Sequence, residues 1–424
     1  MKFSAALDVD VVALEAADEV TVMLELQAPA TAPADSERPA SALQVVLDRS
    51  GSMSGPPLAG AQRALAAIVA QLDPTDVFGV VAFDDSATVV APAGPLTDKQ
   101  RTVAAIDAVT PGGCTDLSSG YLRGLQELRR ATADAGTRGG TVLVISDGHI
   151  NSGIRDHDEF ASIAAKAAAD GIVTSTLGYG RGYDESLLEA ITRAGNGNHS
   201  FADDPDAAGA AIGAEVAGLL SKSAQAVTLT VRYVEQVGEL SLYNDLPAHQ
   251  TANGEVMIEL GDLYADEQRK LLLRMSVDGL AALGLNQLAT LELRYVETAT
   301  LTEHTVTLPI SVNVVPGDGL GDRIPDPVVR SERLYQEGQQ AKLEASRAYE
   351  SGDLAAGAAH LARSRASYVD AMSAAPAAAA EDLAAEIALV DELGSDATVL
   401  GAGYVSKRSR DSYHEGNRKR GRRG

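Results

Sequence analysis

Residues 43–55 read LQVVLDRSGSMSG. A largely apolar run ends in Asp48, and Ser50 and Ser52 follow at every second position. Three oxygen-bearing side chains presented together where a buried strand ends make a ligand-binding loop. The loop lacks the features that would hold a phosphate: no lysine and no glycine spacing of a P-loop or dinucleotide turn follows Asp48. A phosphoryl-transfer aspartate would want a second carboxylate two residues on, where Ser50 stands. In the segment GSMSG, Met53 occupies the centre at which a nucleophile elbow needs serine. Catalysis is therefore not expected, and the hard oxygens suit a hard cation. Mg²⁺ prefers six oxygen ligands, more than one loop supplies.

Working outward, the segment from 43 to about 222 alternates short apolar runs with helical stretches. LQVVL precedes PPLAGAQRALAAIVAQL, VFGVVAF precedes KQRTVAAIDAV, and TVLVIS precedes EFASIAAKAAAD. IVTSTLGYG then precedes DESLLEAITRA. Strands apolar along their whole length and separated by helices predict a doubly wound parallel α/β sheet, with ligands outside the carboxyl ends of its strands. Two further strand ends add oxygens. PGGCTDLSSG offers Thr115 beside Asp116, and TVLVISDGHIN ends in Ser146 and Asp147.

Asp48-x-Ser50-x-Ser52, the Gly-Gly-x-Thr115 loop and the strand ending Ser146-Asp147-Gly148 together resemble the von Willebrand factor A (VWA) domain. The resemblance covers about 43–222 and all parts of that family's metal-ion-dependent adhesion site. It implies that Ser50, Ser52 and Thr115 bind Mg²⁺ (or Mn²⁺) directly, while Asp48 and Asp147 act largely through water. It further implies an open coordination position, which an Asp or Glu from a partner protein fills. The segments GDLYADEQRKLLLRMSV and SGDLAAGAAHLARSR resemble the bacterial and plant group with a Vwaint-type C-terminal region. Plant members of that group carry a RING zinc site, which a chain with one cysteine cannot form. A competing reading is an accessory subunit of an ATP-driven complex, paired with an AAA+ ATPase of the chelatase type.

The flanks are read differently. ALDVDVVAL and VTVMLEL, within residues 5–27, alternate with the period of half-buried strands. From 227, strands return without helices: VTLTVRYV, ELSLYN, EVMIEL, RKLLLRMSV, ATLELRYVE and TVTLPISVNVV. That pattern predicts an antiparallel β-sandwich, into which the α/β domain is inserted. The expected organisation is N-terminal strands and a linker at 1–38, the VWA domain at 39–223, the sandwich at 224–326, a helical hairpin region at 327–395 and a basic tail at 396–424. The hairpin is expected to turn at Ser351-Gly352-Asp353. From 405 on, eight Lys or Arg face two acids, a local +6 that leaves −30 on the rest. Such a run reads as a solvated, disordered end.

Composition sets outer limits. With 424 residues, 45% of them apolar, the chain can build two or three domains. A net charge of −24 opposes DNA and anionic membranes as partners. No run approaches the ~20 apolar residues that span a bilayer, and MKFSAALDVDVVALE does not read as a secretory signal. One cysteine, Cys114, permits no internal disulfide, which fits a cytoplasmic protein. In its tight loop Cys114 reads as a small residue rather than a redox switch. His149 reads as a surface residue near the site, and Asp84-Asp85 as a solvated turn lining the same face.

Overall fold

The computed structural model describes residues 1–29, 40–135, 139–147, 150–180, 183–202, 204–300, 302–317 and 323–419. Most of the expected linker, Gly148 with His149, and the last five residues of the expected basic tail lie outside these. The chain opens with strands β1 (Lys2–Leu7), β2 (Val11–Ala13) and β3 (Asp18–Gln27). Two compact units follow from the contacts: Thr31–Lys222 is one, and Met1–Ala30 with Ser223–Gly424 is the other.

The Thr31–Lys222 unit is a six-stranded sheet clothed by helices. In chain order it comprises β4 (Ala42–Asp48), α1 (Pro56–Gln71), β5 (Val77–Phe83), β6 (Ala87–Pro95), α2 (Lys99–Asp107) and α3 (Leu117–Ala135). It continues through β7 (Gly140–Ser146), α4 (His157–Ala169), β8 (Ile172–Tyr179), α5 (Glu185–Ala194), β9 (Asn196–Ala202) and α6 (Pro205–Leu220). The sheet order is β6-β5-β4-β7-β8-β9, parallel except for β6. Strands β4, β5 and β7 are buried at every position, as their largely apolar sequences require. The chain runs from β4 to β5 on one side and to β7 on the other. The crevice beyond the carboxyl ends of β4 and β7 is thus the switch point where ligands bind in such sheets.

Both edge strands were absent from the sequence reading. β6 (ATVVAPAGP) holds Pro92 and Pro95, and β9 (NGNHSFA) is largely polar. Proline cannot donate to a ladder and so favours a strand with one free side, and an edge strand tolerates polar residues more readily than a central one.

The second unit holds β10 (Lys222–Tyr233), β11 (Val237–Leu242), β12 (Ala248–Ala252), β13 (Glu255–Tyr264), β14 (Gln268–Val277), β15 (Gly284–Glu297) and β16 (Thr302–Val315). One sheet has the order β1-β3-β14-β11, the other β12-β13-β10-β15-β16-β2. β3 pairs with β14 antiparallel over ten residues, Val22 opposite Leu273 and Leu24 opposite Leu271. The N-terminal strands thus belong to the same sheets as the C-terminal ones. The sheets share one apolar core, with Val20, Val22, Leu24 and Leu26 of β3 meeting Leu229, Leu291 and Val312 in a single cluster. The purely antiparallel expectation needs one correction. β2 joins β16 in parallel, Val11–Ala13 beside Asn313–Val315. β12 (AHQTA) is exposed at every position, so it carries no apolar pattern from which to be read.

Among the described residues, four helices complete this unit: α7 (Pro327–Glu350), α8 (Leu354–Ala374), α9 (Ala377–Val399) and α10 (Ala402–Lys419). Helix α7 ends at Ser351, Gly352 takes φ +82°, and the Asp353 side chain caps α8 by accepting from the Ala356 amide. The alternation of β3 explains how α7 is seated. Its odd-phase residue Met23 packs with Leu272 of β14 and Val329 of α7 on the face opposite the main core. The expected basic tail is a correction: 402–419 is a helix with Val405, Ser406, Ser409 and Tyr413 buried. Small and apolar residues recur there at helical spacing, and burial of that face outweighs the local charge.

Polar contacts also anchor α10. Lys342 of α7 is fully buried, and its ammonium donates to Glu386 Oε2 at 2.7 Å and Ser412 Oγ at 2.6 Å. Tyr335 Oη and Gln339 Nε2 donate to the other oxygen of Glu386 at 3.3 and 3.0 Å. A buried ammonium is tolerable only while so partnered. Glu386→Ala is therefore expected to lower the stability of this unit by about 3–5 kcal/mol in urea unfolding. A loss under about 1 kcal/mol would show that the ammonium does not depend on this carboxylate.

Candidate metal centre

The site begins with Asp48, the last residue of β4 and wholly buried. Its Oδ1 accepts from the Ser50 amide at 2.8 Å, which bends the chain at once into the 3₁₀ turn Gly51–Met53. Its Oδ2 accepts from Ser146 Oγ at 2.6 Å, at the end of the neighbouring β7. The far end of the turn is fixed by Met53, which has no solvent exposure. Between these anchors Ser50 Oγ and Ser52 Oγ lie 3.1 Å apart, and Ser52 Oγ donates to Asp147 Oδ1 at 2.8 Å. Asp48, Ser50, Ser52 and Asp147 thus form one hydrogen-bonded cluster.

Thr115 reaches the same rim by its backbone. The Gly112 amide donates to Arg49 O at 2.7 Å, and the Gly51 amide to Gly113 O at 3.1 Å, so the two loops are laced together. Thr115 itself is buried, with 3% of its surface exposed. Its amide donates to Asn151 Oδ1 at 2.8 Å.

The structure changes the reading of Asp84-Asp85. Asp84 is buried rather than solvated, and its Oδ2 pairs with Arg49 Nη2 at 2.8 Å and lies 3.4 Å from the Gly113 amide. Asp85 Oδ1 accepts from the Cys114 amide at 3.0 Å. A Cβ on Gly112 would sit 1.9 Å from Asp84 Oδ2, and one on Gly113 would sit 2.0 Å from Asp85 Oδ2. The Gly-Gly pair is therefore demanded by close approach to these carboxylates. Cys114 is exposed, and the adjacent Asp85 raises its thiol pKa. The thiolate is disfavoured there, which agrees with an inert small residue. Arg49 and Asn151 have no part in the sequence-based site, and Asp84-Asp85 enters it only as a turn on the same face. Asp84, Asp85 and Asn151 accept from backbone amides of distant residues and Arg49 pairs with Asp84, and no local spacing announces such bonds.

The electrostatics favour a cation. Burial raises the pKa of Asp48 above its usual 3.8; the Ser146 and Ser50 bonds partly offset this, and the charge of Asp84 adds to it. Asp147 is pushed up to about 6, chiefly by burial, with the Asp48 charge contributing. Among the described residues no three His, Cys, Asp or Glu side chains gather into a cluster suited to a metal. The donors at this rim are hydroxyls and two carboxylates, and the nearby Arg49 is engaged by Asp84. That set fits a hard, oxygen-preferring cation bound partly through water, and it does not fit a soft metal.

A pH dependence follows for the protein in chelator. Because the folded pKa of Asp147 lies above 3.8, its stabilising contribution is complete below 3.8 and is lost as pH rises through about 6. Asp147→Asn should remove this loss. Above pH 6 the variant should be the more stable by about 1 kcal/mol, solvent screening allowed for. Denaturation at several pH values checks this, and parallel curves for the two proteins would contradict it.

Comparison with known proteins agrees with this geometry. Residues 43–211 match the family model of the von Willebrand factor type A domain. An uncharacterized protein of Synechocystis sp. is 28% identical over 283 residues, covering 64% of this chain and 65% of that protein. The uncharacterized protein YfbK of Escherichia coli is 26% identical over 249 residues, covering 57% of this chain and 43% of that one. The chain thus spans less than two thirds of the length of either relative. Among solved structures, a von Willebrand factor type A protein of Catenulispora acidiphila superposes with a TM-score of 0.71 at 18% identity, covering 87% of this chain and 86% of its own. The ArnB paralog VWA2 of Sulfolobus acidocaldarius gives 0.67 at 12% identity, covering 98% of each. At these identities the likeness is one of fold. Taken with the doubly wound sheet and its switch-point loops, the match shows that this chain carries a von Willebrand factor type A domain.

Proposed function

We propose that the VWA domain is a non-catalytic protein-interaction module that depends on Mg²⁺ or Mn²⁺, and that a partner protein supplies an Asp or Glu to the cation. The observation that supports this most is the hydrogen-bonded series Ser146–Asp48–Ser50–Ser52–Asp147 at the sheet's switch point. Ser50, Ser52 and Thr115 would hold the cation directly, and Asp48 and Asp147 would do so through water. Hydroxyls cancel little of its charge, so when bound it supplies an electrophilic centre for an incoming carboxylate. Ser146, in donating to Asp48, keeps that carboxylate oriented. The lone Cys114 is in keeping with action in the cytoplasm.

Titration calorimetry of the full chain should reveal one Mg²⁺ or Mn²⁺ site, with Ca²⁺ bound more weakly because it prefers a larger shell. Asp48→Asn keeps the size of the side chain, retains an acceptor for the Ser50 amide and removes the charge. It should weaken Mg²⁺ binding at least ~10-fold. Mg²⁺ affinity unchanged in that variant would remove the basis of the reading.

We further propose that the VWA domain is an insertion in a β-sandwich formed by residues before it and after it. The pairing of β3 with β14 and the core shared by both sheets support this. Residues 40–222 expressed alone should melt cooperatively. A chain lacking residues 1–28, with β14 deprived of β3 on one side, should aggregate. A soluble, cooperatively melting truncation would contradict the insertion.

A further inference from the structure

The connection between β7 and α4 touches the metal rim twice. Its first residue, Asp147, accepts from Ser52 Oγ. Four residues later Asn151 grips Thr115 from both sides of its peptide frame. Asn151 Oδ1 accepts from the Thr115 amide at 2.8 Å, while the Asn151 and Ser152 amides donate to Thr115 O at 3.2 and 3.3 Å. The grip continues along the next residues. The Ile154 amide donates to Ser118 Oγ at 3.1 Å, and Ser118 Oγ donates to Asp116 Oδ1 at 2.5 Å. Gly153, at φ +74°, passes so close that a Cβ would lie 2.0 Å from Asp116 Oδ1. Residues 151–154 are thus fastened along 115–118.

We propose that Asn151 is a positioning residue of the metal centre, holding the Thr115 hydroxyl where a cation would take it. The proposal rests on the Mg²⁺ reading above and names a residue which that reading does not contain. A threonine has few χ1 states, so fixing its backbone limits its hydroxyl to a few directions. Thr115 is buried, and without the Asn151 carbonyl its amide would be left without an acceptor or the loop would shift to find one. A residue that orients a metal ligand without touching the metal typically governs affinity by 10–100-fold. Because Asn151 and Asp147 share one connection, the same segment would supply a carboxylate to the site and steady one of its hydroxyls.

Two variants of the full chain separate positioning from mere packing. Asn151→Ala removes the acceptor, and Asn151→Asp keeps one in the same place. Mg²⁺ calorimetry, well below the melting temperature, should find the Ala variant about 10–100-fold weaker and the Asp variant equal to or tighter than wild type. In EDTA, hydrogen exchange at the Thr115 amide should be faster in the Ala variant and near the wild-type rate in the Asp variant. Wild-type binding retained within about threefold by Asn151→Ala would overturn the role of Asn151 and leave the Mg²⁺ reading standing. So would an Asp variant as impaired as the Ala variant. A wild-type chain that takes up neither Mg²⁺ nor Mn²⁺ would overturn the metal reading and this role together.

Discussion

A carboxylate with no exposure to solvent stands at the end of a central strand, and the loops of the VWA domain are arranged around its needs. Asp48 can remain there only if its oxygens are met by donors. The parallel register of β4 and β7, with Leu47 beside Ile145, brings Ser146 alongside it. The Ser50 amide supplies the second donor and thereby turns the chain. With Met53 buried at the far end of that turn, Ser50 and Ser52 have little freedom. The alternation of oxygens in the sequence is the outcome of a strand whose final carboxylate is satisfied from both its own loop and its neighbour.

The second loop is held by a different principle. Residues 112–116 are bonded mostly through backbone amides, to Arg49 O, Asp84 and Asp85. Such bonding requires main chains and carboxylates to approach more closely than any Cβ permits, which is why two glycines stand together. It also concentrates negative charge. Arg49 offsets Asp84, yet the charge of Asp84 is still felt at Asp48. Anionic groups gathered to hold backbone in place leave the rim receptive to a cation and unreceptive to an anion.

Much of this was legible in the sequence, and what was not has a common cause. Fully apolar strands, the Asp-Ser-Ser spacing and the Gly-Gly-x-Thr loop are local patterns, and the structure brings Asp48, Ser50, Ser52 and Asp147 into one cluster. The partners of the site are not local. Asn151 meets Thr115 across 36 positions, and Asp85 meets Cys114 across 29. Edge strands β6, β9 and β12 escaped because half-solvated ladders tolerate proline and polar residues. The alternation in β3 was visible, but not that Met23 on its other phase would seat a helix.

The C-terminal helix shows why a charge count is a poor guide to order. A run of basic residues is expected to remain in water because each isolated ion resists burial. Here Lys407 and Arg410 are 6% and 2% exposed, and Arg410 pairs with Glu350 of α7 at 2.7 Å. Ser406 and Ser409, each next to one of these, are wholly buried and small enough to let α10 lie close to its neighbours. Gly416 serves the same end, for a Cβ there would stand 2.7 Å from Tyr335 Oη. Close backbone approach brings Arg410 within reach of Glu350 on the adjoining helix, so that charge is matched as it is buried. Cations committed in this way are not free to neutralise phosphates. For those residues the positive charge is part of the fold rather than a solvated arm.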